Sequence, residues 1–271
     1  MKSLAFSLVG MLLLAVPSVL AAKRAAGGQP DRVYGVREGS GPKSKAEVAA
    51  VEAMLRAQTQ SPDEQIRAAR ELVAKFPQTD FKSYAFYTEA DAYEVKGEHA
   101  LAISFCEQAL SADTRNFEAE ILLANVIAAR TKDTDRDKTE KLAGAVKLAK
   151  DALDMIPAAP KPVLFRLKDE AWTEQKDAAA SRAWQALGLV ATAENKPDEA
   201  IVDFENGLAL LPDPVLMVRT GRALEASGKY DAALAWFDKA LAAPKASAQI
   251  RDVAAKDKVR VAAEKARGSG R

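Results

Sequence analysis

The chain has 271 residues, with 39 lysines and arginines against 38 aspartates and glutamates and a formal net charge of +1. That balance argues against a broad nucleic-acid footprint, which needs a basic surface, and the single cysteine, Cys106, excludes an intramolecular disulfide framework. With only one histidine beside that cysteine, a His/Cys zinc site within one chain is not expected, so no cofactor is predicted and the core has to come from packing alone.

Met1 and Lys2 precede an uncharged run from Leu4 to Val16, and Val19-Leu20-Ala21 offers small or modest residues where a signal peptidase cuts. This pattern predicts a cleaved signal peptide over 1–21 and a periplasmic or secreted location. The alternative is an uncleaved anchor: residues 4–22 are long enough to span a bilayer, and Lys23 and Arg24 follow directly. The chain would then be tethered to a membrane, facing outside the cytoplasm. Residues 22–44 are crowded with glycine and proline and show neither a helical nor a strand period, which predicts a flexible tether.

From residue 45 alanine, leucine, lysine and glutamate dominate, and glycine and proline fall at intervals, so helices separated by short turns are expected. Residues 46–56 and 62–76 read as an opening hairpin closed by Pro77. Ser61-Pro62-Asp63-Glu64 supplies a cap, a first-turn proline and a glutamate in the order that starts a helix sharply. Further along, the segment 195–208 (NKPDEAIVDFENGL) aligns with 228–241 (GKYDAALAWFDKAL), and 97–110 (GEHALAISFCEQAL) fits the same frame. Three copies of one unit point to a repeat architecture.

These residues resemble the tetratricopeptide repeat family, whose signature is W-x2-L-G-x2-Y, then A-x3-F, then P, at a 34-residue period. One copy runs Trp184, Leu187, Gly188, Ala191, Ala200, Phe204, Gly207 and Pro212, departing from the pattern at Ala191 and Gly207. A second reads Met217, Gly221, Leu224, Ala233, Phe237 and Ala240, ended one residue early by Pro244. A third reads Phe86, Ala90, Tyr93, Ala102, Cys106 and Ala109, with Cys106 in the place of the usual phenylalanine. The resemblance implies an all-α, right-handed superhelical solenoid of antiparallel helix pairs over 45–244. Gly188 and Gly221 are expected to face Ala200 and Ala233 across each pair, with Trp184 and Phe204 filling the wider gaps.

Between the copies the frame loosens. Leu123, Ala124 and Ile127 suit a first helix, but Ala145, Ala149, Ala152 and Pro157 suit a second helix about nine residues too far along, the excess lying in the charged linker 130–138. An irregular insertion is therefore expected over 130–180. Pro157, Pro160 and Pro162 then precede a long helical pattern over 164–194 that holds Trp172 and Trp184; either the first helix of the Trp184 unit extends backwards by several turns or a separate short helix precedes it. Residues 245–267 read as a charged capping helix and 268–271 as a disordered tail.

Chemical constellations are sparse. His99 and Cys106 share a helical face, but two turns place them about 10 Å apart along the axis, whereas a nucleophile and its base need about 3 Å. Asp133, Asp135 and Asp137 imitate the opening of a calcium loop, yet Lys138 and Gly144 stand where that loop needs glycine and glutamate. No nucleotide-binding or nucleophile-elbow motif occurs, so the chain is not expected to be an enzyme. What the resemblance implies instead is a non-enzymatic scaffold or adaptor whose first helices line a groove for protein or peptide partners, with no nucleic acid. Glu89, Tyr93, Glu120, Asn125, Arg219, Arg222 and Glu225 are the groove candidates on that frame. The alternatives are a helical envelope enzyme with an acidic cleft and a self-assembling envelope component.

Overall fold

The computed structural model describes residues 41–161 and 168–268. The predicted signal peptide or anchor, most of the predicted tether, Leu164 and residues 269–271 of the predicted tail lie outside the described residues. Among the described residues the chain forms eleven α-helices, one 3-10 turn and no strand. They are α1 (Lys45–Ala57), α2 (Pro62–Lys75), α3 (Lys82–Lys96), α4 (His99–Ala112), α5 (Phe117–Arg130), α6 (Lys138–Met155), the 3-10 turn Ile156–Ala158, α7 (Asp169–Ala193), α8 (Pro197–Leu210), α9 (Pro214–Ala226), α10 (Tyr230–Ala242) and α11 (Ala248–Gly268).

Successive helices pack as hairpins, α1 with α2 through α9 with α10, and each second helix also packs on the first helix of the following pair. α11 packs against α10 and α9. The fold is thus an all-α, tetratricopeptide-like solenoid, in which a hairpin cannot bury both faces alone and depends on its neighbours.

Local chemistry explains where the helices start. Ser44, Ser61, Asn116 and Asp213 cap α1, α2, α5 and α9, each side-chain oxygen accepting from a backbone N–H of the first turn. Lys196, before Pro197, makes no such bond, so α8 starts on its proline and the acidic Asp198 and Glu199. Three of the intrarepeat turns share one conformation: Gly97 (φ 77°), Asn195 (φ 58°) and Gly228 (φ 73°) are all left-handed. In each, the next residue's N–H (Glu98, Lys196 or Lys229) reaches back to the carbonyl of Tyr93, Ala191 or Leu224. This is the bond that satisfies a helix end when a left-handed residue follows it, and asparagine tolerates the position second best after glycine.

Packing refines the expected pairings. The atoms nearest Gly188 and Gly221 belong to the rings of Phe204 and Phe237: a Cβ there would lie 2.3 Å and 2.6 Å from ring carbons. The two phenylalanines, rather than Ala200 and Ala233, are therefore what the glycines make room for. Ala90, Ala102, Cys106, Ala200, Ala233 and Ala240 are all fully buried, as their repeat positions require. Phe86, Trp184 and Met217 share one repeat position and are only partly buried. The buried tryptophan is Trp172, which packs with Phe117, Ile121, Ile156, Ala179 and Ala183.

Among the described residues of 130–180 most are helical, because α6 begins at Lys138 and the 25-residue α7 begins at Asp169. The backward extension of α7 adds the turns that carry Trp172.

Candidate functional site

The seven groove candidates do not share one open surface. Glu89 is buried, and the Arg70 side chain of α2 donates from Nε to its Oε2 at 2.8 Å and from Nη2 to the Tyr93 hydroxyl at 2.7 Å. Burial pushes the Glu89 carboxyl up, and Arg70 partly offsets it. The Tyr93 ring stacks on Phe105 at 5.4 Å. This pair is thus a joint between α2, α3 and α4. Asn125 likewise joins α5 to α7: its Nδ2 donates to the carbonyls of Ile121 (2.8 Å) and Arg182 (3.0 Å), and its Oδ1 accepts from Gln185 at 2.8 Å. Arg222 donates from Nε to Asp257 of α11 at 2.6 Å, and Glu225 pairs with Arg260 of the same helix. Glu120 lies against α6, near Asp151 and Lys147.

Beside Asn125 lies a polar cluster that sequence reasoning missed. Arg182 donates to Glu118, which is 1 % exposed, and the Tyr87 hydroxyl donates to the same carboxylate oxygen at 3.4 Å. Burial pulls the Arg182 guanidinium down, but Glu118 and Tyr87 outweigh it and hold the group above its ordinary value. A charge removed from water this far persists only when paired, so the cluster ties α3, α5 and α7 together. Glu118 and Arg182 stand 64 residues apart, and no local pattern marks them as partners.

Nothing in this arrangement assembles a catalytic pair. Burial pushes the Cys106 thiol well above its ordinary value, which leaves it inert, and His99 Nδ1 is 2.6 Å from Glu94 Oε2 instead. Asp133 pairs with Lys138, and Asp135 and Asp137 with Lys141. Among the described residues there is no group of three acidic, histidine or cysteine side chains able to hold a metal ion. A depression of about 440 Å³ between α2 and α3 has Ile66 and Tyr93 in its lining. Its carboxylates are ion-paired, Asp63 with Lys96 at 2.7 Å and Glu71 with Arg67 and Lys75 at 3.2 and 3.4 Å. Lys75 and Arg67 hold the Glu71 carboxyl below its usual value, so it is no proton donor at neutral pH.

Arg219 and Glu120 are the two candidates that keep a buried polar atom without a hydrogen-bond partner among the described residues, and of these Arg219 is the donor. It is partly buried on α9, and its Nε has no hydrogen-bond partner among the described residues. Burial lowers its guanidinium to about 10, with Asp213 opposing the shift and Arg222 adding to it, so the side chain is still a cation at neutral pH. Asp213 does not take the Nε proton; it accepts from the Val215 N–H at 2.8 Å.

Comparison with known proteins agrees with this geometry. A tetratricopeptide repeat family model matches residues 83–116, which span α3, α4 and the cap of α5. A thermophilic TPR protein from Thermus thermophilus is similar in structure, with a TM-score of 0.57 and 18% sequence identity over 79% of this chain and 98% of that one. MamA from Desulfovibrio magneticus RS-1, from residue 41 to its end, gives a TM-score of 0.50 and 16% identity over 73% of this chain and 94% of that one. At these identities the likeness is one of fold. No curated protein matches the chain.

Proposed function

We propose that the chain is a non-enzymatic scaffold that binds protein or peptide partners in the cell envelope or in exported form. The observation that carries the reading is Arg219: a partly buried cation with an unused donor, on a first helix whose other outward charges, Arg222 and Glu225, are taken up by α11. A buried donor left without an acceptor costs about 1–3 kcal/mol, and a partner supplying a carboxylate or carbonyl there recovers that cost. Support for the location is the signal-like pattern of residues 1–21.

The test is capture from a cell-envelope extract on the immobilised full-length chain. Proteins retained by the wild type are expected to be lost by Arg219→Glu, with affinity falling tenfold or more, as expected for a charged hydrogen bond of about 1.5–3 kcal/mol. If Arg219→Glu keeps every partner, α9 is not the binding face. Retention of further copies of the chain alone would favour the self-assembling component. The endogenous protein, sequenced from its N-terminus after fractionation, is expected to start at Ala22; a start at Met1 in the membrane fraction would favour the anchor.

A further inference from the structure

Glu120 is the least accommodated acid in the described part of the solenoid. It sits in the first turn of α5 at 7 % exposure, and its Oε2 has no hydrogen-bond partner among the described residues. The charged groups acting on it are Asp151 and Lys147, both of α6. The lysine that could neutralise it is committed elsewhere: Lys147 Nζ donates to Asp151 at 2.5 Å on the exposed side of α6. The polar groups that α3, α4 and α7 turn toward α5 are engaged as well. Tyr87 and Arg182 hold Glu118, and Glu94, already bound to His99, lies 3.9 Å from Arg130. Glu120 is thus largely withdrawn from water beside a like charge of the neighbouring helix, with no ion-pair partner among the described residues.

A carboxylate in such a place opposes the packing of the two helices, whereas a neutral carboxylic acid does not. A half-buried acid on α8 is raised as well, by its own burial and by a neighbour on its own helix. Asp203 of α8 is raised to about 6 by burial and by Glu199, with Lys150 of α6 opposing.

We propose that α6 is held by a protonation-dependent clasp, in which uptake of a proton by Glu120 tightens the α5–α6 contact as the surroundings pass from neutral to mildly acidic. Burial first, and Asp151 second, raise the Glu120 carboxyl to about 7 from its ordinary 4.5. The sign follows from linkage. Between those two values the folded chain binds a proton that the unfolded chain releases, so this contribution to stability grows as pH falls from above 7 toward 4.5. Ordinary acid destabilisation belongs to carboxylates held below their usual value, such as Asp198 beside Lys229 and Ser227, and it acts at lower pH. The clasp therefore has a window of its own. It would suit a chain placed outside the cytoplasm, where the medium sets the pH, but it does not depend on that placement.

Hydrogen exchange of the full-length protein at pH 7.5 and 5.5, corrected for intrinsic rates, tests the clasp. Peptides from α5 and α6 are expected to gain about tenfold in protection at pH 5.5, corresponding to one unit of effective shift, while α10 serves as the internal reference. Glu120→Gln, neutral at both pH values, is expected to show the protected state at both. Asp151→Asn removes the facing charge and frees Lys147, so it is expected to move the midpoint of the gain to lower pH. Protection of α5–α6 that stays flat or falls between pH 7.5 and 5.5 in the wild type overturns the proposal. So does a Glu120→Gln protein that keeps the full gain. Should Glu120→Gln not fold, the direction of the Asp151→Asn shift decides.

Discussion

Each helix pair is set by how two side chains share a fixed volume. Gly188 with Phe204 and Gly221 with Phe237 place a bare backbone under a ring. Sixteen residues separate the members of each pair, and the same interval links Ala90 to Cys106, which lie in one buried cluster. There the first helix gains a methyl group and the second loses a ring. In the α5–α6 pair both places are alanine, Ala124 and Ala149. Cys106 is thus half of a compensated exchange. Cys106→Phe alone is expected to cost about 1–3 kcal/mol through overpacking against Ala90. Adding Ala90→Gly should recover most of that despite a helix-propensity cost of about 1 kcal/mol. Urea denaturation of both single variants and the double variant measures the coupling; additive effects would show that the two positions do not share one space.

At the scale of the element, α11 packs on the α9–α10 pair as a first helix packs on the pair before it. It buries Ile250, Val253, Ala254 and Val261 in the cluster of α9 and α10, and turns Val259 outward at 72 % exposure. Its register is set by charge: Asp257 accepts from Arg222 and from Arg260 at 3.0 Å, and Arg260 reaches Glu225. Arg222→Glu sets two carboxylates face to face and is expected to loosen α11 by about 1–2 kcal/mol, less at high salt because Arg222 is partly exposed. Limited proteolysis at 245–268 reads this directly. Arg222→Glu combined with Asp257→Arg is expected to restore resistance, and failure of the exchange would show that apolar contacts alone hold the helix. The repeat frame placed Arg222 and Glu225 on an inner face, but a residue 35 positions away occupies that face.

Across the whole molecule the buried clusters form a chain, each overlapping or adjoining the next. One spans Val51 to Val126, two middle clusters join Phe117, Ala124 and Leu142 to Trp172 and Val190, and the last runs from Ala191 to Val261. Coupling between the ends therefore passes through the middle, as in any stack of nearest-neighbour units. Trp172→Ala is expected to cost about 3–5 kcal/mol and to split a single urea transition into two, with the α9–α11 end outlasting the centre; a single transition merely shifted to lower urea would show that the ends couple by another route. What the sequence by itself determined was local: helices separated by short turns over the described residues, the helix start at Ser61, and the repeat interval that places Ala102, Phe204 and Phe237 in the core. These follow from periods and turn chemistry confined to a few residues. Only the tertiary structure decided what each polar face meets: Glu89 meets Arg70, Asn125 meets the carbonyl of Arg182, and Arg222 meets Asp257, while Arg219 keeps an unused donor. A helical period fixes the direction in which a side chain leaves its own helix. Its partner is fixed by the offset between stacked units and by the unequal lengths of 130–138 and α7, which no single repeat encodes.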